Sequence, residues 1–574
     1  MLFCYVFYFE LKILYLNNIF EYINLNVNVL IKSVLFAILQ MTCLSVSFAQ
    51  FNLYYNESPD SENIRRHVRT LGSDEYLGRG TGHYGGYKAA EYLSKQFAEI
   101  GISRTNNYLQ NIPFHETITQ PGSVLEIISG NDTIFPELNF EYLVHKTGSG
   151  SLLPKPVEMV FVGYGIVAPE YDYNDYRNIK VLNKVVVMFT GEPESDDENY
   201  FYGTINTKHS QIDIKQRTAL AQGAKACIII PNPDEFSFEG WADLIHQYSF
   251  SELSLAYTPS DILTLLILPE IAEKMFSVEK YDFPKICAMY SDNKLMSFEM
   301  KSKFSFRGVY KDRIFTAPNI VGYIEGSDSK LKNTCVIVTA HYDHLGIGTA
   351  IRNDSIYNGV LDNSMGVAAL LEIARIMSKS DSKPKRSVVF LLTTAEEKGL
   401  LGSIHYLNNP IFPLYKTVAN INIDGLAFID NFKSVVGIGA NLSDLGKYLE
   451  KTATQMKLKI EDFPTEFKEM ESFNRSDQIA YASAGIPAMM VMDGTDYVNV
   501  PREYGLQILN EYMSKIYHSP FDDFDILINW DAAVQHTQFL LNLITNIAQS
   551  DTEPEWEEWT HYFYERMKLK NEKR

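Results

Sequence analysis

Metal-binding residue types directly follow three consecutive apolar segments in the second half of the chain. TCVIVTA is followed by His341, SVVFLLTTA by Glu396 and Glu397, and VANINI by Asp424. Short apolar segments bounded by turns are typical of buried parallel strands. In open α/β sheets the ligand crevice lies beyond the carboxyl ends of the strands. The pattern therefore predicts that these four side chains meet at one edge of a sheet.

The same half of the chain alternates strand-like and helix-like segments. Amphipathic segments such as GVAALLEIARIM and LGKYLEKTATQM separate the apolar ones, and DAAVQHTQFLLNLITNIAQ follows the last of them. This alternation predicts an α/β fold with a mixed, largely parallel sheet sandwiched by helices. A chain of 574 residues exceeds the usual size of one hydrophobic core, so at least two domains are expected. Short β-branched runs from about Leu152 to residue 305 indicate a separate β-rich domain inserted into the first.

The predicted organisation has five parts. They are a leader with a signal peptide (1–49), the N-terminal part of the catalytic domain (50–150), the inserted domain (151–305), the main part of the catalytic domain (306–549) and a C-terminal tail (550–574). The tail is charged and aromatic, which is typical of a peripheral helix or a frayed end.

The leader predicts where the protein is located. In LIKSVLFAILQMTCLSVSFA a lysine precedes an apolar run, and Ser47-Phe48-Ala49 is a small-residue cleavage site. The mature protein is therefore expected to be secreted or periplasmic, without a stable membrane span. Because the thirty preceding residues are unusual for a signal peptide, our hypothesis is that translation starts near Leu30. The alternatives are a membrane anchor within residues 1–48 and, less favoured, a lipoprotein cysteine at Cys43.

Composition excludes several classes of function. The formal net charge is -20 and no long Lys/Arg stripe reverses it locally, so nucleic acid is not an expected partner. None of the five cysteines is spaced as in a zinc knuckle or a redox pair. Cys227 and Cys335 lie in apolar strand-like runs, where a small buried thiol is usual. Neither cysteine chemistry nor a disulfide framework is indicated.

Two further residues extend the set at the strand ends. Asp362 lies in the turn NGVLDNSMG ahead of a helix, and His518 lies in the late segment YHSPFDD. Imidazole nitrogens and carboxylate oxygens suit zinc. A pair of zinc ions bridged by one carboxylate polarises a carbonyl and activates water. The residues therefore predict two Zn²⁺ ions and a hydrolytic reaction.

Five motifs together resemble a known family. AHYDHLG, NGVLDNSMG, TTAEEKGLLGS, NINIDG and YHSP, in this order, are similar to peptidase family M28, the co-catalytic di-zinc aminopeptidases and glutamate carboxypeptidases. The resemblance covers Asn319 to about Gln549 and extends to LGSDEYLGRGTG. It implies that Asp362 bridges the ions, that Glu396 is the general base, and that the Asp343 carboxylate orients His341. The implied metal ligands are His341, Asp362, Glu397, Asp424 and His518.

The same resemblance assigns roles to further residues. FNRSDQIAYASAGIPAMMV resembles a segment that lines the family's pocket, so Arg475 and Asp477 are expected to contact substrate. Tyr517, beside His518, is a candidate for stabilising the oxyanion. For His344 a structural or supporting role is favoured over metal ligation. The inserted domain resembles a protease-associated domain in FVGYGIVAPEYDYNDY, KVVVMFTGEP and ALAQGAKACIII, which implies a lid or a substrate-guiding role.

These observations favour a secreted, zinc-dependent aminopeptidase acting on peptides. One alternative is a carboxypeptidase or dipeptidase that uses the same site. The other is a secreted peptide-binding protein with a vestigial site. The sequence makes no prediction of oligomeric state or of the preferred side chain.

Overall fold

The computed structural model describes residues 54–148, 152–195, 197, 200–201, 207–258, 261–464 and 472–573. The predicted leader (1–49) and its signal peptide lie outside the described residues. The chain divides into two compact units, residues 1–58 and 59–574, and the second contains all the elements named below.

Fourteen helices are described. They are α1 (Ser61–Leu71), α2 (Tyr84–Ile100), α3 (Ile212–Ala221), α4 (Phe238–Gln247), α5 (Pro269–Phe276), α6 (Phe283–Ser291), α7 (Met365–Lys379), α8 (Leu401–Asn408), α9 (Leu445–Met456), α10 (Ser472–Arg475), α11 (Gln478–Ser483), α12 (Arg502–Glu511), α13 (Trp530–Ala548) and α14 (His561–Glu572).

Twenty-one strands are described. They are β1 (Ser103–Thr119), β2 (Val124–Ser129), β3 (Asp132–Ile134), β4 (Tyr142–Lys146), β5 (Leu152–Phe161), β6 (Val167–Ala168), β7 (Tyr173–Asn174), β8 (Val185–Phe189), β9 (Ala226–Ile230), β10 (Glu252–Leu255), β11 (Leu263–Ile267), β12 (Phe298–Arg307), β13 (Tyr310–Ile324), β14 (Cys335–His341), β15 (Gly346–Ile351), β16 (Asp354–Tyr357), β17 (Ser387–Thr393), β18 (Thr417–Asn422), β19 (Ser434–Ile438), β20 (Lys459–Ile460) and β21 (Ala488–Asp493).

The first sheet has nine strands in the order β10-β1-β13-β17-β14-β18-β21-β19-β20. Its central strands β17, β14, β18 and β21 are parallel, whereas β13 and β19 join this centre antiparallel. Every residue of β14, β17 and β18 is buried. Strands covered on both faces consist of nearly continuous apolar runs, which is why the sequence predicts them. The predicted mixed α/β fold class is confirmed.

Helices cover both faces of this sheet. On one face α7 and α13 pack against β14 and against each other. On the other face Tyr406 of α8 and Tyr481 of α11 share a buried cluster with Ile337 and Val389 of the sheet. Trp556 and Tyr562 from the C-terminal residues complete that cluster. Residues 550–574 therefore include a packed helix, α14, rather than a frayed end.

The second sheet has eight strands in the order β3-β2-β12-β5-β8-β9-β11-β4. Its strands run from Val124 to Arg307, so β2, β3 and β4 precede residue 151, where the sequence analysis begins the inserted domain. Within that domain β10 pairs with β1 in the first sheet instead. The sequence places the start of the inserted domain after β2 because this strand alternates buried and half-buried residues and contains no continuous apolar run. We propose residues 124–307 as the inserted module.

Two long strands connect the module to the first sheet. β1 leads towards it and β13 returns from it, and they pair antiparallel from Ser103 with Tyr323 to Thr119 with Tyr310. Glu116 of β1 is buried and accepts hydrogen bonds from Arg313 Nε (2.7 Å) and Ser251 Oγ (2.8 Å). This carboxylate therefore joins β1 to β13 and to the segment before β10.

Candidate metal centre

The loops that follow the central parallel strands meet at one edge of the first sheet. His341 is the last residue of β14, Glu396 and Glu397 lie in the turn after β17, and Asp424 follows β18. Asp362 lies in the helical turn Val360–Ser364 that begins α7. His518 follows the turn Tyr512–Ile516 and has a positive φ of 55°. The structure thus brings the five expected ligands and the expected base together.

The ligand atoms form two groups that share Asp362. In the first group His341 Nε2 lies 3.2 Å from Asp362 Oδ1 and 3.2 Å from Asp424 Oδ1. In the second, His518 Nε2 lies 3.2 Å from Asp362 Oδ2 and 3.1 Å from Glu397 Oε2. Asp362 therefore directs one carboxylate oxygen into each group, as a bridging ligand must. The ligand atoms of each group lie within 4.8 Å of one another.

The carboxylates dominate the electrostatics of the site. Burial lowers the pKa of His518, but Glu397 and Asp362 outweigh this and raise it to about 10. Burial likewise lowers the pKa of His341, yet Glu396 and Asp424 raise it well above its ordinary value. The site consequently favours positive charge strongly. A divalent cation held by these same atoms would displace those protons, which is the usual link between metal binding and pKa.

The donor set fits zinc. Two imidazoles and three carboxylates, all buried or half-buried, converge with spacings close to those of ligands around one small ion. Nε2 of His518 is buried and has no hydrogen-bond partner among the described residues, although two carboxylate oxygens are near it. A buried polar atom without a partner is costly unless another interaction satisfies it. A metal ion would provide that interaction.

Glu396 lies at the edge of both groups, with His341 and Glu397 as neighbours. Its side chain is almost buried, and burial raises its pKa well above the ordinary value for a glutamate. Glu396 is therefore a carboxylate beside both groups that is not needed as a ligand in either.

The backbone oxygen of Asp343, and not its carboxylate, contacts His341. The sequence analysis assigns its carboxylate to orienting His341, but His341 Nδ1 donates to the backbone oxygen of Asp343 at 3.1 Å, while Oδ1 is 3.9 Å away. The carboxylate instead accepts from the backbone N–H of Glu396 (3.2 Å) and from the hydroxyl of Thr81 (3.2 Å). Burial raises the pKa of Asp343 to about 6. Its carboxylate therefore positions the turn that carries the base.

Arg79 was missed by the sequence analysis and supports the loops around Asp362. Its guanidinium is fully buried and donates to backbone oxygens only. The acceptors are Leu71 (2.9 Å), Tyr342 (2.7 Å), Asn358, Gly359 (2.9 Å) and Asp362 (3.4 Å). Since backbone carbonyls in a loop rarely find enough donors, one arginine here satisfies several of them. Its signal in the sequence is the glycine-flanked arginine of LGRG.

Asp522 and Asn363 were also missed, and both hold the Asp362 turn. Asp522 accepts from the backbone N–H groups of Leu361 (2.8 Å) and Asp362 (3.0 Å). Asn363 donates to the backbone oxygen of Ile423 (2.8 Å) and so ties this turn to the loop of Asp424. Both lie in motifs already quoted, YHSPFDD and NGVLDNSMG, in which only the neighbouring ligands were assigned.

The expected substrate contacts separate into three cases. Asp477 is fully buried and accepts from the hydroxyl of Thr393 (2.7 Å), the last residue of β17. Arg475 is exposed at the end of α10 and has no described contact with the ligand residues. Tyr517 stacks on His518 with ring centroids 3.8 Å apart. Only Tyr517 is therefore positioned beside the two groups.

The inserted module reaches the loop next to Glu397. Tyr357 of the hairpin β15–β16 has its hydroxyl 3.1 Å from Nε2 of His246, and the two rings stack. Phe250 packs edge-on against Tyr357, and Lys398 Nζ lies 5.2 Å from the centroid of Phe250. His246 of α4 and Phe250, before β10, thus contact the hairpin β15–β16 and the residue that follows Glu397.

A comparison with known protein families agrees with this geometry. Residues 319–544 match the sequence model of Peptidase family M28. This segment belongs to peptidase family M28. The family predicted from the five motifs is therefore confirmed for residues 319–544.

Two curated relatives and one solved structure describe the similarity further. The vacuolar membrane protease of Pyrenophora tritici-repentis is 29% identical over 132 residues, 21% of this chain and 13% of that protein. Aminopeptidase NAALADL1 of Mus musculus is 34% identical over 114 residues, 19% of this chain and 14% of that protein. The aminopeptidase from Aneurinibacillus sp. strain AM-1 superposes with a TM-score of 0.51 at 18% identity, covering 85% of this chain and 93% of that one. This last likeness shows the fold.

The matched segment thus spans well under two thirds of these curated relatives. Their names also correct one prediction. The sequence analysis expects a secreted or periplasmic protein, but curated relatives from three fungi are named vacuolar membrane protease, which points to the vacuolar membrane instead. The signal peptide on which that prediction depended lies outside the described residues. Among the helices that the structure describes, none is long and apolar enough to cross a membrane.

Proposed function

We propose that the chain is a zinc-dependent aminopeptidase that removes N-terminal residues from peptides with two zinc ions. The observation that carries the proposal is the position of Asp362, whose two carboxylate oxygens face separate groups of ligand atoms, with Glu396 beside both. A structural zinc site is usually a closed set of four ligands on one ion. Two groups sharing a carboxylate next to an uncommitted glutamate suit hydrolysis instead.

His341, Asp362 and Asp424 would hold one ion, and Asp362, Glu397 and His518 the other. When bound, zinc supplies Lewis acidity, which polarises the scissile carbonyl and makes water a better nucleophile near neutral pH. Every other role falls to the chain's own side chains. The hydrogen bonds that Asp343 and Arg79 make to backbone groups hold the loops in place, so the ligand atoms are positioned before substrate arrives.

Glu396 would move the proton in this reaction. It accepts one from the attacking water and returns it to the amine that leaves, so its charge is restored at the end of each cycle. Tyr517, next to His518, would donate its hydroxyl proton in a hydrogen bond to the oxygen that becomes negative on the tetrahedral carbon. The module segment with Phe250 and His246 would exclude water from one side of the site.

One comparison favours action at the amino terminus. The mouse relative, 34% identical over 114 residues, is named an aminopeptidase.

The experiment is a substrate panel with the zinc-loaded protein. Aminoacyl p-nitroanilides and free tripeptides should be cleaved, whereas the same tripeptides with an acetylated amino terminus should be cleaved at least about 100-fold more slowly. A chelator should abolish activity and added zinc should restore it. Equal cleavage of free and acetylated tripeptides would reject an aminopeptidase, and zinc-independent cleavage would reject the metal-dependent reaction.

A further inference from the structure

His344 lies in the loop after β14, and its side chain faces the second group of ligand atoms. The ring is buried, and Nδ1 lies 2.6 Å from Glu397 Oε1 and 3.8 Å from Asp362 Oδ2. Its ring centroid is 5.7 Å from that of His518. The carboxylate of Glu397 therefore lies between two imidazoles, with Oε1 towards His344 and Oε2 towards His518.

No other polar contact accounts for this buried histidine. Nε2 of His344 is buried and has no hydrogen-bond partner among the described residues. The two carboxylates of the second group are the ring's described polar neighbours. Nδ1 of the ring is within hydrogen-bond distance of Glu397 Oε1, so its partners are the same carboxylates that are expected to bind metal. The position of Nδ1 among ligand oxygens gives it a function.

Glycine at position 359 makes room for the ring. A Cβ atom at Gly359 would lie closest to the backbone oxygen of Asp362, and 2.6 Å from Cδ2 of His344, and the backbone there has a φ of +60°. A side chain at this position would therefore collide with the Asp362 turn and with the imidazole. The turn that carries Asp362 thus also seats His344 against it.

We propose that Nδ1 of His344 is a fourth protein ligand at the second metal position, beside Asp362, Glu397 and His518. The inference rests on the proposed two-zinc function and adds a residue to it. Four-coordinate zinc with bonds of about 2.0–2.1 Å has ligand atoms about 3.3 Å apart. The separations of His344 Nδ1 from its two neighbours, 2.6 and 3.8 Å, lie on either side of that value.

The consequence is an unequal pair of metal positions. The second position has two imidazoles and two carboxylates, whereas the first has His341, Asp362 and Asp424. An ion at the second position would therefore be held by four protein ligands and one at the first position by three. The residues at the first position would leave more room for water or a substrate carbonyl on the side of His341.

The test is X-ray absorption at the zinc edge on the full chain loaded with two zinc ions. Three imidazoles shared by two ions correspond to about 1.5 imidazoles per zinc, and His344→Ala should reduce this to about 1. Zinc titration should show the tighter of two affinities weakened at least about 10-fold in the variant. The matched control is His405→Ala, because His405 is also buried but bonds to the hydroxyl of Tyr257, and it should retain both values.

Two results would overturn the inference, and they are distinguishable. Two zinc ions with about one imidazole each in the unmodified protein would exclude His344 while leaving the proposed function intact. An unmodified protein that binds no zinc would reject the proposed function itself and the inference with it. The number of imidazoles per zinc in the unmodified protein is measured without any variant. It therefore tests the role of His344 even if the His344→Ala protein fails to fold.

Discussion

The carboxylate of Asp343 lies 3.2 Å from the backbone nitrogen of Glu396 and accepts its hydrogen bond, while the backbone oxygen of Asp343 accepts from His341. One residue thus positions the base with its side chain and a metal ligand with its main chain. The two functions can be separated by mutation, because only the first depends on the side chain.

Asp343→Ala should reduce kcat by about 10–100-fold at unchanged zinc content, since a supporting contact is lost but His341 keeps its backbone partner. Asp343→Asn retains an oxygen that can accept from Glu396 and should recover much of the activity. The measurements are kcat and zinc per protein. If Asp343→Ala loses zinc in proportion to activity, the carboxylate orients His341 after all.

Glu396→Gln should retain two zinc ions and lose turnover by at least about 10²-fold, because glutamine cannot take up the proton. Glu397→Gln is the matched control, since it removes a charged ligand oxygen from the second group and should weaken zinc binding. Steady-state kinetics and metal analysis of both variants decide. A Glu396→Gln protein with near-normal kcat and two zinc ions would show that another group is the base.

The lowered pKa of Glu116 predicts that acid destabilises the paired strands β1 and β13. Burial raises its pKa, but hydrogen bonds from His83, Arg313 and Ser251 outweigh this and lower the pKa to about 2 from its ordinary value of 4.5. A lowered pKa stabilises the fold above pH 4.5, and the stabilisation is lost as the pH falls towards 2.

The measurement is the melting temperature of the unmodified chain and of Glu116→Gln between pH 7 and pH 3. The variant should melt lower at pH 7, and the difference should shrink as the pH falls. A difference that stays constant over this range would mean that Glu116 contributes through its shape and not through its charge.

Arg79→Met should destabilise the catalytic part by about 3 kcal/mol or more, because several buried backbone oxygens lose their donor. Arg69→Met is the control, since Arg69 is exposed at the end of α1 and should change stability by less than about 0.5 kcal/mol. Urea unfolding followed by tryptophan fluorescence reports both. Equal midpoints for the two variants would contradict the role assigned to Arg79.

Trp556→Ala should cost about 3–5 kcal/mol, because the indole is buried against Tyr562 and its Nε1 donates to the backbone oxygen of Gly485 (3.1 Å). Trp559 lies three residues later but is 60% exposed, so Trp559→Ala should have little effect. Thermal unfolding of both variants provides the comparison. If neither destabilises the protein, the C-terminal residues are dispensable.

The sequence predicts best those parts whose signal is local and repeated. β14 and β17 are nearly continuous apolar runs, whereas β18 also contains the buried Asn420 and Asn422. The residues that follow the three strands converge because the carboxyl ends of parallel strands share one edge. Arg79 and Asp522 could not be assigned in the same way. Their partners are backbone groups contributed by distant loops, and a sequence does not show which backbone groups remain unpaired.

Two other differences have the same physical origin. Asp477 lies in the segment whose resemblance to the family suggests the pocket, yet its carboxylate is buried against Thr393, because only the tertiary packing decides which way a loop residue faces. The first strand of the proposed inserted module, β2, alternates in burial, and the sequence therefore places the start of that module at residue 151. The role of His344 was hidden for the same reason. In the sequence it precedes a Leu-Gly turn, whereas in the structure it lies beside Glu397 and Asp362, two of the expected ligands.

The ribbon of β1 and β13 has a consequence for the architecture of the chain. Thr119 and Tyr310 are paired neighbours, so the intervening residues leave and re-enter the first sheet at adjacent points. A short turn could therefore join β1 and β13 in place of the module. The order of the parallel strands, and the edge where their loops meet, would stay the same. Only β10 would be removed with the module, leaving β1 as the outermost strand.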